Sequence, residues 1–180
     1  MADYFKNSDY LECSDYNDTS AVGVQYRVVT DLATEPVTVE FFKQHSRIDF
    51  DSDDTLVAVY LKAARIELEK WSQLSFGAKT MGLTAIRLPK NFRLMFGKVN
   101  TVTTTGYTNV GDILKEGGSD IDIEYTTLDW IDDAIRISIC RYAAGLYINR
   151  ENVVDTKFST QQKQDEAKEM LKPYMNITFP

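Results

Sequence analysis

The hydrophobic period changes twice along this chain, and that change limits the architectures open to it. From residue 38 to about 74 apolar side chains recur at helical spacing, from 83 to 127 they alternate as in strands, and from 129 to 174 helical spacing returns. The expectation is a mainly α fold: a small helical bundle with an inserted antiparallel β element and extended termini. At 180 residues the chain is long enough to bury a core. It reads as an arm, 1–22, followed by one domain, 23–180. Within that domain, 23–76 holds a strand and helices, 77–128 the β insertion, and 129–180 the C-terminal helices and tail.

"VGVQYRVVT" (22–30) is rich in Val and Tyr and predicts a strand. Pro36 stops what precedes it. Thr38 suits the N-cap of a helix over 38–46, with Glu40 in the first turn, where the helix dipole favours an acid. Next comes "RIDFDSDDTLVAVYLKAARIELEKW", whose acids raise the question of a cation loop. Counted from Asp49 as an EF-hand, Asp51 and Asp53 fit the third and fifth positions. The sixth is Asp54 where a Gly is needed, and the twelfth is Tyr60 where a bidentate Glu is needed. Helical spacing begins directly after the acids, so Asp51 or Ser52 is expected to cap a helix over 52–74. Asp53 and Asp54 fall in its first turn. Lys62, Arg65, Glu69 and Lys70 are expected on its solvated outer face.

In the β region, "LTAIRLP", "KVNTVTTTGYT" and "IDIEYTT" predict strands, and "EGGSD" predicts a turn. Ile121, Ile123 and Tyr125 share one face of the last strand. "NFRLMFG" carries Phe92, Leu94, Met95 and Phe96, too many large apolar groups for an ordinary tip. They either enter the core or meet another chain. In the final part Asp129 is the expected cap of a helix whose stripe includes Ile135, Ile139, Tyr142 and Leu146. Asp132 and Arg136 are spaced as an i,i+4 pair. Ala167, Met170, Leu171 and Tyr174 mark a last helix that Pro173 disturbs. "NITFP" leaves it as a tail.

Catalysis finds no anchor. There is no phosphate-cradling loop and no Gly-x-Ser-x-Gly elbow. Cys13 and Cys140 form no CxxC and suggest no disulfide framework, and one histidine, His45, makes a zinc site untenable. His45 reads as a dipole partner or surface residue at a helix end. No metal, cofactor or enzymatic role is expected. No apolar run approaches the ~18 residues of a membrane helix, and "MADYFKNSDY" has no basic n-region. The expected setting is a cytoplasm, with no membrane partner. The net charge is −7, with seven acids against Lys6 and Arg27 in residues 1–35. Clustered Lys and Arg for gripping DNA are not evident in the sequence.

Several stretches taken together resemble the small head–tail connector, or adaptor, proteins of tailed bacteriophages. "EPVTVEFFKQHSRIDFDSDD" followed by "TLVAVYLKAARIELEKW" matches the family's Glu-Pro-Val-Thr start, acidic cap and Ala-rich helix ending near an aromatic residue, here Trp71. "IRLPKNF" and "VNTVTTT" resemble its Leu-Pro segment and Val-rich strand. "AIRISICRYAAGLYINRE" resembles its late helix, and "MLKPYMN" its C-terminal motif. The resemblance spans roughly residues 22–176. It departs in the acidic arm, in a shortened connection over 108–120, and at Met175, where the family often has Arg.

The resemblance implies a virion protein, assembled in the host cytoplasm, whose copies form a ring (a dodecamer in keeping with the family) under the portal. Its partners would be other copies of itself, the portal protein and the next tail or ring protein. DNA would slide through its channel without specific binding. Residues 161–180 would dock on the portal, with Met170, Leu171, Tyr174, Ile177 and Phe179 as interface residues, joined by Phe92, Met95 and Phe96. Two other readings remain open: a tail-completion or terminator ring, and a small enzyme or ligand-binding domain using the carboxylates near 49–54 or 129–133.

Overall fold

A computed structural model describes residues 21–148 and 157–175. These fall into two units, residues 21–32 with 77–129 and residues 33–76 with 130–175. Each has its own hydrophobic core.

The first unit is all β. Among the described residues it holds β1 (Gln25–Thr30), β2 (Thr80–Leu88), β3 (Phe92–Arg93), β4 (Val99–Val102), β5 (Asn109–Val110), β6 (Ile113–Leu114) and β7 (Gly118–Thr127). Two antiparallel sheets form, ordered β1-β2-β7-β4 and β3-β6-β5. In the long central pair Leu83 faces Ile123 and Ala85 faces Ile121. The alternation of β7 decides its burial. Ile121, Ile123 and Tyr125 are buried, while Asp122 is exposed. The core adds Tyr26, Met81, Leu94 and Leu114.

The second unit contains the helices α1 (Val39–Ser46), α2 (Asp54–Ser72), α3 (Asp133–Ile148) and α4 (Lys157–Met175). Phe42, Val57, Leu61, Leu68, Ile135, Ile139, Ala167 and Leu171 interlock in its core. Thr38 caps α1, its Oγ1 accepting from Phe41 N at 3.2 Å. Pro173 lies inside the last turn of α4 without ending it; its ring removes one backbone donor close to where the helix stops.

The expectation of a mainly α fold is therefore corrected. With four helices and two antiparallel sheets among the described residues, the chain is an α and β mixture. Three strands are only two residues long, too short to show a period of two, and the β2–β7 pairing is non-local. Two helix starts also move. Asp53, not Asp51 or Ser52, occupies the N-cap position of α2, with no side-chain cap bond. Likewise α3 starts at Asp133 and not near Asp129, and Asp132 Oδ1 accepts from Ala134 N at 2.9 Å. Arg136 pairs with Asp133 at 3.2 Å.

Candidate functional site

The acids at the start of α2 are held by a cation of the chain itself. Lys43, on α1, reaches Asp51 in a short ion pair and Asp54 at 2.9 Å. Asp53 accepts from the Tyr147 hydroxyl at 2.6 Å. The Lys43 hydrogen bond and charge hold the Asp51 carboxyl below its ordinary value, and the bonds to Asp51 and then Asp54 raise the Lys43 ammonium above its own. Among the described residues no group of three or more His, Cys, Asp or Glu is placed to hold a metal ion. The arrangement ties α1 to α2.

The charged face expected on α2 is partly a buried network. Arg65 is 1% exposed and Glu69 5%. Arg65 Nε and Nη2 donate to the two carboxylate oxygens of Glu35 at 2.7 and 2.9 Å, and its Nη1 donates to Glu69 at 3.0 Å. The other oxygen of Glu69 accepts from the Phe76 N–H at 2.8 Å. A guanidinium suits this place because its planar fork serves two carboxylates at once. Sequence reasoning missed the network. The only local signal, the i,i+4 spacing of Arg65 and Glu69, looks the same on a solvated helix.

"NFRLMFG" is built into the first unit. Leu94 and Phe96 are buried, and Phe92 and Met95 pack against the same core. The Met95 backbone is gripped on both sides: its N–H donates to the Tyr26 hydroxyl at 3.1 Å, and its carbonyl accepts from the Tyr125 hydroxyl at 2.6 Å. Asp112 secures the ends of the segment, its carbonyl accepting from Leu94 N and its Oδ1 from Val99 N. Phe96 is thus a core side chain here, edge-on to Tyr26 with ring centroids 5.8 Å apart.

On α4, Leu171 is also a core residue. Met170 and Tyr174 are half-buried, and the Tyr174 ring lies 5.9 Å from Trp130. Met170 lines a shallow groove with Arg141 and Glu166. Ile177, Phe179 and Cys13 lie outside the described residues, as does the arm up to residue 20. Exposed apolar residues of the second unit include Phe50, Leu56 and Val59, the last at 58%.

Nucleophilic chemistry has little to work with among the described residues. Burial pushes the Cys140 thiol up to about 12, leaving it un-ionised at neutral pH. His45 is held below its ordinary value by partial burial and by the Arg141 charge. No described helix is long and apolar enough to cross a membrane.

Comparison with known proteins gives one family match and a shared fold. No curated protein matches the chain. The family model described as phage gp6-like head–tail connector protein matches residues 36–178. A chain from "Neck of empty GTA particle computed with C6 symmetry" is similar at 18% identity and a TM-score of 0.59, with 79% of this chain and 94% of that chain covered. A chain from "Virion of native gene transfer agent (GTA) particle" is similar at 18% identity and a TM-score of 0.57, with the same coverage. At such identity the likeness shows a common fold.

Proposed function

Because this chain belongs to the phage gp6-like head–tail connector family, a family of structural virion proteins, we propose that its copies form a ring beneath the portal and extend the DNA channel toward the tail. The family match carries the reading, and the fold shared with a neck chain supports it.

A closed ring needs two different faces on each subunit. The exposed apolar residues Phe50, Leu56 and Val59 suit one of them, because contact with a second copy would remove them from water. Met170 and Tyr174, followed by Ile177 and Phe179, suit the portal side. The Lys43 cluster and the Arg65 network then serve as internal fastenings. A net charge of −7 also suits a channel wall along which DNA slides.

The test is genetic. A nonsense mutation in the gene for this chain should give DNA-filled heads without tails, and extract containing the chain should restore tail joining. Normal tailed particles made without the chain would overturn the reading.

A further inference from the structure

Between Glu69 and Asp112 the sequence holds no acid, while Lys70, Lys79, Arg87, Lys90, Arg93 and Lys98 all fall there. The first unit gathers part of this charge at one end. Arg87 lies near the end of β2, opposite Ser119. Lys90 follows in the turn, and Arg93 lies on β3 beside Ile113. Lys115, just after β6, donates from Nζ to Asn91 Oδ1 at 3.4 Å. All four cations are exposed. The turn is tightly closed, since a Cβ on Gly117 would stand 2.5 Å from the Pro89 carbonyl carbon and 2.7 Å from Lys90 N. Three acids lie nearby: Glu116 accepts from Thr108 N and Oγ1 and also feels the Lys115 charge, Asp112 accepts from Val99 N, and Asp120 is exposed next to Ser119. Beside the cations runs an apolar row. Arg93, Ile113 and Val110 are cross-strand partners, with Ile113 38% and Val110 64% exposed.

The chain enters the described structure beside this tip. Val22 N donates to Arg87 O at 2.9 Å, and Ile86 N donates to Val22 O at 2.9 Å. Immediately before it come residues 1–20, with Asp3, Asp9, Glu12, Asp15 and Asp18 against a single base, Lys6. Tyr4, Phe5, Tyr10, Leu11 and Tyr16 are interleaved among those acids.

We propose that residues 1–20 dock on the basic tip of their own chain, with their carboxylates against Lys90, Arg93 and Lys115 and their aromatic rings over the Val110–Ile113 row. The two surfaces are complementary in charge and in apolar content. The tether at Val22 supplies the segment at an effective concentration in the ~mM range, so individually weak contacts suffice. A tip covered in this way presents its own carboxylates, and not its cations, to a passing phosphate backbone.

The test uses the full chain with a nitroxide attached to Cys13. Cys140 is buried and un-ionised at neutral pH, so it is spared by the reagent. The expected result is broadening of amide resonances over 87–93 and 113–116. It should weaken markedly at ~1 M salt, where the Debye length is ~3 Å, and in the Lys90→Glu, Arg93→Glu double variant. Isotope-labelled chain mixed with nitroxide-bearing unlabelled chain should show no such broadening. The proposal is overturned by an unbroadened tip, by broadening indifferent to both salt and charge reversal, or by broadening in the mixed sample. That last result would assign the segment to a second copy.

Discussion

Arg65 meets Glu35 across thirty residues of sequence through two parallel hydrogen bonds, Nε to Oε2 at 2.7 Å and Nη2 to Oε1 at 2.9 Å. The same guanidinium donates to Glu69, whose other oxygen holds the Phe76 N–H. One buried cation thus fastens the segment that leads into α1 and, through Glu69, the segment that leaves α2. Replacing it with methionine keeps most of the volume but takes the cation away from the buried Glu69 carboxylate. Arg65→Met should cost roughly 3–5 kcal/mol. The check is the urea midpoint at unchanged m-value; a shift equal to that of a surface substitution would show the network to be ornamental.

Helix starts separate real caps from apparent ones. Thr38→Ala removes a hydroxyl that accepts from Phe41 N and should cost about 1 kcal/mol. Ser52→Ala removes only a long, exposed contact to Asp53 at 3.4 Å and should stay within ~0.5 kcal/mol. Thermal unfolding of the two variants side by side gives the comparison, and equal losses would contradict the assigned caps.

The Lys43–Asp51 pair sets a pH dependence with a definite sign. Asp51 is lowered from 3.8, so its contribution is present above that value and lost as pH falls through the folded pKa. Lys43 is raised from 10.5, so its contribution is complete below that value and lost as pH rises through the folded pKa. The stability gap between the native chain and Lys43→Met should therefore narrow below pH 3.8 and again in strong alkali. Denaturant midpoints across the pH range would show it. A gap independent of pH would mean that Lys43 acts only by packing.

Two glycines in the first unit should respond differently to a methyl group. At Gly117 the new Cβ would meet backbone, 2.6 Å from Leu88 O and 2.7 Å from Lys90 N, which cannot move aside cheaply. Gly117→Ala should cost roughly 1–3 kcal/mol. At Gly82 the neighbour is the Arg27 side chain, which can swing away from its exposed partner Asp122. Gly82→Ala should cost less than about 1 kcal/mol. Comparable losses in chemical denaturation would contradict this account of the tip.

What could be read from the sequence was local. Thr38 announced its helix through residue type and a following acid, and Ile121, Ile123 and Tyr125 announced their buried face through alternation. The failures required distant partners. Arg65 looked solvated because Glu35 and the Phe76 N–H lie far from it in sequence, and Phe96 could be placed only by Tyr26, Tyr125 and Asp112. Asp51 looked like a cap or a ligand until Lys43 was found beside it. The excess of strand over expectation has the same origin, since β3, β5 and β6 exist only through their pairing. Family membership was legible because it resides in the order and spacing of many weak local patterns.

The central claim is assembly, and native mass spectrometry of the purified chain, alone and then mixed with the portal of the same phage, tests it most directly. The account predicts a closed ring, either free or formed stoichiometrically on the portal. A stable monomer or dimer that ignores the portal would contradict it.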